Sequence, residues 1–250
     1  MAQLLVDEPA PTVRRWTLNR PDQRNAISRA LMAELLAAVM EVERDEAVRV
    51  VVIRGNGPDF CAGADLREHF TSEDAMDIGR TDLWDRLEAL RVPVIASVHG
   101  WAVTGGFLLA YCCDLVVASE DARFRDTHSR LGILPTGGES QRMPRRLGVF
   151  LARELMLTSR VLTAPEARAA GFVSRMVSRD VLDAATLELA TMIAANAPHS
   201  VAGIKALINL GAQAGLGDGL RHEARLNAFG AVNTQPDEDR SARIAAVLDP

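Results

Sequence analysis

Residues 92–113 read Val-Pro-Val-Ile-Ala-Ser-Val-His-Gly-Trp-Ala-Val-Thr-Gly-Gly-Phe-Leu-Leu-Ala-Tyr-Cys-Cys, 22 positions without a formal charge. A membrane-spanning helix needs about 20 apolar residues, so length alone admits one. The interior argues against it. Pro93, Ser97, His99, Gly100, Thr104, Gly105 and Gly106 together make a poor spanning helix, because lipid offers their polar groups no partners. A buried strand over Val94–Val98, a turn at Gly105-Gly106 and a short buried helix account for the same residues. Upstream, the β-branched run Val48–Ile53 suits a strand covered on both faces. Downstream, Leu115–Ala118 is a further short strand. Strands alternating with helices in this way imply a parallel sheet joined by right-handed crossovers, an α/β fold.

Working outward, Leu4–Val6 and Val13–Leu18 read as opening strands, followed by a turn at Pro21-Asp22. Ser28 is placed to cap a helix whose apolar stripe is Leu31, Leu35, Val39 and Val42. Beyond about Gly137 the patterns are mostly helical. Thr163 and Glu166 have capping-box spacing, and Gly171 suits the helix end. Helical patterns continue over Val181–Ala195, Ser200–Gln213, Leu220–Ala231 and Pro236–Val247, with Gly215, Gly217 and Gly219 read as a loop. The expected organisation is an α/β core over residues 1–195 and a helical region over 196–250. The apolar faces of that tail must pack on the core or on another subunit.

Composition excludes several classes. The 250 residues carry 28 basic and 33 acidic side chains, a net charge of −5, and no basic patch is visible. With only seven Phe, three Trp and one Tyr for stacking, nucleic acid is not an expected partner. Cys61, Cys112 and Cys113 form neither a disulfide framework nor a zinc-ligand spacing, so no metal is expected. The N-terminal segment lacks the basic start of a signal peptide and meets Asp7 and Glu8 early, which reads as cytoplasmic. A dinucleotide fingerprint, a phosphate-binding loop with its lysine and a nucleophile elbow are all missing.

Two glycine-bearing turns remain, each after a buried strand: Asp59-Phe60-Cys61-Ala62-Gly63-Ala64-Asp65-Leu66, and His99 to Gly106. Ligands of open parallel sheets sit at the carboxyl ends of strands. Gly105-Gly106 also opens a helix, so its amides are unpaired and lie at the positive end of the dipole. Two such turns can aim N–H groups at one anionic oxygen. Equally, small residues there can serve close strand–helix packing alone.

The segments Leu18-Asn19-Arg20-Pro21, Asn25-Ala26, Arg54-Gly55, Phe60 to Leu66, Gly105-Gly106, Cys113-Asp114, Gly132 with Pro135, Gln141-Arg142 and Gly148 resemble the crotonase, or enoyl-CoA hydratase/isomerase, family in order and spacing. The resemblance covers nearly the whole chain. It implies a spiral of ββα units with a C-terminal helical trimerisation region, a homotrimer or dimer of trimers, and an acyl-CoA or enoyl-CoA ligand. Coenzyme A enters as part of the substrate, with no tightly bound cofactor. The resemblance also implies that the amides of Ala64 and Gly105 hold the thioester oxygen. Arg24, Ala26 and Ala62 would line the coenzyme A path, with Asp65, Leu66 and Arg67 near the thioester. Lys205 and Arg221 are candidates for holding phosphates.

One departure stands out. Hydratases of this family use two glutamates, and the matching positions here are Leu108 and His128. General acid–base catalysis contributes typically about 10²–10⁴-fold, so classical hydration requires substitutes. His128 can act as acid or base near neutrality, and Asp126, two residues away, could orient it from the same side of an extended segment. Glu139, after Gly137-Gly138 at a helix start, is the second candidate, though the helix dipole alone would favour a carboxylate there. His99, Tyr111, Cys112 and Cys113 read as interior residues. The expected protein is an enoyl-CoA hydratase or isomerase with non-standard acid/base groups. The alternatives are another crotonase-type reaction such as thioester hydrolysis, or a non-catalytic acyl-CoA-binding protein.

Overall fold

A computed structural model describes residues 2–71, 82–228 and 244–245. Among these the strands are β1 Leu4–Ala10, β2 Val13–Leu18, β3 Val50–Gly55, β4 Val94–Val98, β5 Trp101–Val103, β6 Leu115–Ser119, β7 Arg123–Arg125, β8 Leu162–Thr163 and β9 Arg175–Val177. One sheet has the order β1-β2-β3-β4-β6-β9, the other β5-β7-β8. Strands β2, β3, β4, β6 and β9 are mutually parallel, as the alternating pattern predicts, and β1 closes one edge antiparallel to β2. In the smaller sheet β5 runs parallel to β7, and β8 antiparallel to it.

The helices are α1 Arg29–Arg44, α2 Leu66–Thr71, α3 Leu83–Ala89, α4 Gly105–Cys112, α5 His128–Leu131, α6 Glu139–Leu147, α7 Val149–Thr158, α8 Ala164–Ala169, α9 Leu182–Ala194, α10 Pro198–Gly211 and α11 Leu216–Ala228. Strands β4 and β5 with α4, then β6 and β7 with α5, form successive turns of a ββα spiral. Gly100 makes the first change of sheet possible. Its φ is +55°, and a Cβ there would stand 2.3 Å from the Pro58 carbonyl oxygen.

The central strands β3, β4 and β6 are buried on both sides, which is why they are apolar without alternation. Val51 and Ile53 face the main core, whereas Val50, Val52, Ile95 and Val117 pack with Leu182, Ala190 and Ala194 of α9. Local signals act as expected. The Ser28 hydroxyl accepts the Leu31 N–H at 3.0 Å and caps α1, burying Leu31, Leu35, Val39 and Val42. Thr163 and Glu166 close a reciprocal capping box on α8, and Gly171 (φ +78°) follows that helix. The long uncharged segment is the strand, turn and helix of β4, β5 and α4, and no helix among the described residues is long and apolar enough to cross a membrane.

Three local expectations need correction. The strand predicted from Val48 begins at Val50. Gly217 and Gly219 lie in the first turns of α11 rather than in a loop, because that helix starts at Leu216. Lys205 does not reach toward a ligand. Its Nζ is buried, donating to Asp114 Oδ2 at 2.7 Å and the Val92 carbonyl at 2.9 Å, and so fastens α10 to the strand ends. The helical pattern over Pro236–Val247 lies outside the described residues apart from 244–245.

Candidate active site

The two glycine-bearing turns meet. Short parallel bridges join Ile27 to Ala64 and Cys61 to Ala102, laying the loop after β3 against β5. Its backbone bonds skip one group. Ile27 donates to the Gly63 carbonyl at 2.7 Å and Asp65 donates to the Ile27 carbonyl at 3.0 Å, which leaves the Ala64 N–H between them unused. The Gly105 N–H is likewise unused, as the first amide of α4. Neither amide has an acceptor among the described residues.

The two positions are adjacent. A Cβ on Gly105 would stand 3.4 Å from the Ala64 nitrogen, and one on Gly63 (φ +91°) would fall 2.5 Å from the Val103 carbonyl oxygen and 3.2 Å from the Gly105 nitrogen. Glycine at 63 is therefore required by both dihedral and space. Gly106 is equally constrained, since its Cβ would stand 2.2 Å from the Cys61 carbonyl oxygen. Cys61 itself is sealed in, with its thiol pushed up to about 12 by burial, so it offers no thiolate at neutral pH.

On one side of the amide pair lies a cavity of about 940 Å³. Ala26, Ala62, Ala64, Asp65, Leu66 and Arg67 line it, six of the positions singled out from the sequence. Arg24 does not. It sits outside the lining, exposed and 3.6 Å from Asp59. Arg20, to which sequence reasoning assigned no role, does line the cavity and donates to Asp65 Oδ2 at 2.9 Å. Arg20 and Arg67 put cationic groups at this cleft, beside the carboxylates of Asp22, Asp65 and Glu68 and the small residues Ala26, Ala62 and Ala64.

Asp126, His128 and Glu139 come together, all buried. The expected extended segment is not how this happens. Strand β7 ends at Arg125 and His128 begins α5, so the Asp126 carboxylate folds back onto the next turn. It accepts the His128 N–H at 3.1 Å and lies 2.9 Å from Nδ1 through Oδ2. The ring's Nε2 faces Glu139 Oε1 at 3.9 Å. Burial alone would lower the His128 pKa, but the Asp126 hydrogen bond and charge, with Glu139 behind them, outweigh it and hold the imidazolium above the ordinary histidine value. Burial is also why the Glu139 carboxyl titrates above the ordinary range, with His128 and neighbouring N–H groups opposing it.

Glu139 is the first residue of α6, and its Oε2 accepts the Gly137 N–H at 2.9 Å. The next peptide is held by Arg142, whose Nη1 donates to the Gly137 carbonyl at 2.7 Å and whose Nε donates to Glu88 at 3.0 Å. Leu108 is the position where the resemblance expects a glutamate. A Cβ on Gly137 would lie 2.5 Å from Leu108 Cδ2 and 3.1 Å from Glu139 Oε1, so Leu108 and Glu139 flank the same point. His99 is an interior residue, bonded through Nε2 to the Gly57 carbonyl at 3.0 Å.

The profile of the enoyl-CoA hydratase/isomerase family matches residues 9–239. This chain belongs to that family. A probable peroxisomal enoyl-CoA hydratase of Arabidopsis thaliana is 41% identical over 83% of this chain and 78% of its own length. The 2,3-dehydroadipyl-CoA hydratase of Escherichia coli K12 is 36% identical over 99% of this chain and 96% of its own. A crystal structure of an enoyl-CoA hydratase from Bacillus anthracis superposes with a TM-score of 0.91 at 35% identity, covering 96% of this chain and 95% of the other. The family membership makes this an enzyme of the hydratase or isomerase kind, with a crotonase-type α/β fold.

Proposed function

We propose that this protein hydrates a 2-enoyl-CoA thioester, using Ala64 and Gly105 to hold the thioester oxygen and His128 with Glu139 to move protons. The coenzyme A moiety would enter along the cavity lined by Arg20, Ala26, Ala62, Asp65, Leu66 and Arg67. Enolate-like charge then develops on the thioester oxygen, where two preorganised N–H donors in a dry site are worth far more than in water.

The observation that carries the reading is the 3.9 Å separation of His128 Nε2 and Glu139 Oε1. It is too long for a hydrogen bond between them, and close enough for both to address one substrate or one water. The Asp126 carboxylate at Nδ1 favours the protonated ring, which suits His128 to the role of the acid that protonates the α-carbon. Glu139, a carboxylate of raised pKa, accepts the water proton as the oxygen adds to the β-carbon. Atoms balance as one water added across one double bond. Leu108 supports a second reading, in which its apolar side chain excludes water and one group carries a proton between carbons to shift the double bond.

The test mixes the protein with a short 2-enoyl-CoA and follows loss of the conjugated thioester absorbance, with binding measured in parallel. His128→Ala and Glu139→Gln should each lower kcat by about 10²–10⁴-fold. Unchanged rates in both variants eliminate the assignment, and tight binding without turnover favours an acyl-CoA-binding protein. Supplying a 3-enoyl-CoA distinguishes the double-bond shift. The same reading assigns residues 196–250 to association as a trimer or dimer of trimers, supported by exposed Ile204, Ile208, Leu216 and Leu220 on α10 and α11.

A further inference from the structure

Thr104 occupies a conformation that its side chain disfavours. With φ +46° and ψ −101° it immediately precedes the Gly105 amide and stands at the N-cap of α4. A β-branched residue at positive φ is a true outlier, and such residues persist only where surrounding structure holds them. The surroundings here are specific. The Thr104 N–H donates to the Arg125 carbonyl at 2.7 Å. Its hydroxyl is 2.6 Å from the Thr127 hydroxyl and accepts the Thr127 N–H at 3.1 Å. Thr127 is itself the N-cap of α5, yet its side chain makes no capping bond. That hydroxyl is spent on Thr104 instead, although a capping bond is the usual use of a threonine there.

Thr104 thus joins the residue before one unused amide to the residue before His128. A glycine at 104 would take the same dihedral without strain but could not make the side-chain bonds. We propose that Thr104 and Thr127 form a clasp that fixes the Gly105 amide relative to His128, making Thr104 a positioning residue for proton transfer at the bound thioester. The inference rests on the reading that Gly105 and His128 act on one substrate.

The strain makes the clasp testable, because stability and rate should move in opposite directions. Thr104→Gly should keep or raise Tm while kcat falls by about tenfold to a hundredfold, the scale of an ångström-level misplacement, with KM little changed. Thr104→Ser, which keeps the hydroxyl, should restore most of kcat. Thr127→Val, which keeps the Thr127 N–H bond to the Thr104 hydroxyl, should reproduce part of the loss, and adding it to Thr104→Gly should cost little more, since the contact between the hydroxyls is already gone. A Thr104→Gly enzyme with wild-type kcat, or one whose Tm and kcat fall together, overturns the clasp. An arm without turnover separates this from the proton-transfer reading. The His128 ring, between Asp126 and Glu139, is titrated by NMR in Thr104→Gly and Thr104→Ser. The clasp requires an altered titration in the first and a wild-type one in the second, and identical curves in all three proteins overturn it. Failure of His128→Ala to slow turnover sinks the proton-transfer reading alone.

Discussion

Replacing Ala64 by lactic acid turns the 63–64 peptide into an ester, deleting one N–H while leaving shape and side chain in place. The structure allows the cost to be divided. The Ala64 N–H has no acceptor among the described residues, so its loss removes no intramolecular hydrogen bond. The ester also weakens the Gly63 carbonyl as acceptor of the Ile27 N–H, now 2.7 Å away. A net backbone hydrogen bond is worth about 1 kcal/mol, and weakening one costs a fraction of that. For a chain of this size that is a Tm change of about 2–4 °C at most. If the amide holds the thioester oxygen, kcat should instead fall by about 10²–10³-fold, or roughly 2.7–4 kcal/mol of transition-state stabilisation. Turnover of a 2-enoyl-CoA read by absorbance, beside thermal unfolding of the same sample, measures both. Intact folding with a rate within a few-fold of wild type would refute the reasoning that Ala64 and Gly105 converge on an acyl oxygen.

The acid/base pair predicts a pH-dependent stability. The folded pKa of His128 lies above the ordinary value of about 6.5, so its stabilising contribution is complete below that value and is lost as pH rises through the folded pKa. Chemical denaturation of wild type and His128→Gln across this window should show their difference shrinking with rising pH; a constant difference contradicts the pairing with Asp126. Glu139 acts with the same sign from a lower starting pH, and Glu139→Gln removes that part. Lys205 supplies a structural prediction. Lys205→Met leaves Asp114, a partly buried carboxylate raised by burial despite the lysine, with the Val94 N–H as its remaining partner, costing about 1–3 kcal/mol. Adding Asp114→Asn should recover much of it in thermal melts, whereas a loss typical of an exposed lysine would disprove the burial.

The elements carried by short-range signals were legible. The Ser28 cap, the Thr163–Glu166 box and the apolar runs of β3, β4 and β6 each rest on neighbours within a few residues, so spacing expresses them directly. The pairing of Asp126 with His128 was also anticipated, but for a different geometry, because the chain leaves the strand at Arg125 and turns helical. Arg24 was expected beside the cavity and stands outside it, while Arg20 lines it. Spacing within one turn does not say which of two arginines points inward. The electrostatics of Lys205 were hidden for a similar reason, since its partners lie 91 and 113 residues away.

By itself the sequence determined the α/β class, the parallel order of the central strands, and the pair of glycine turns on which the family resemblance rests. These follow from periodicity and from positions where only a missing Cβ fits. Tertiary structure decided the rest. It alone brought the Ala64 and Gly105 amides side by side, set Glu139 beside Leu108 across from His128, and tied Thr104 to Thr127. Each of those relations joins residues whose nearness depends on how β3, β5, β7 and α6 pack, and packing distances leave no local trace along a chain.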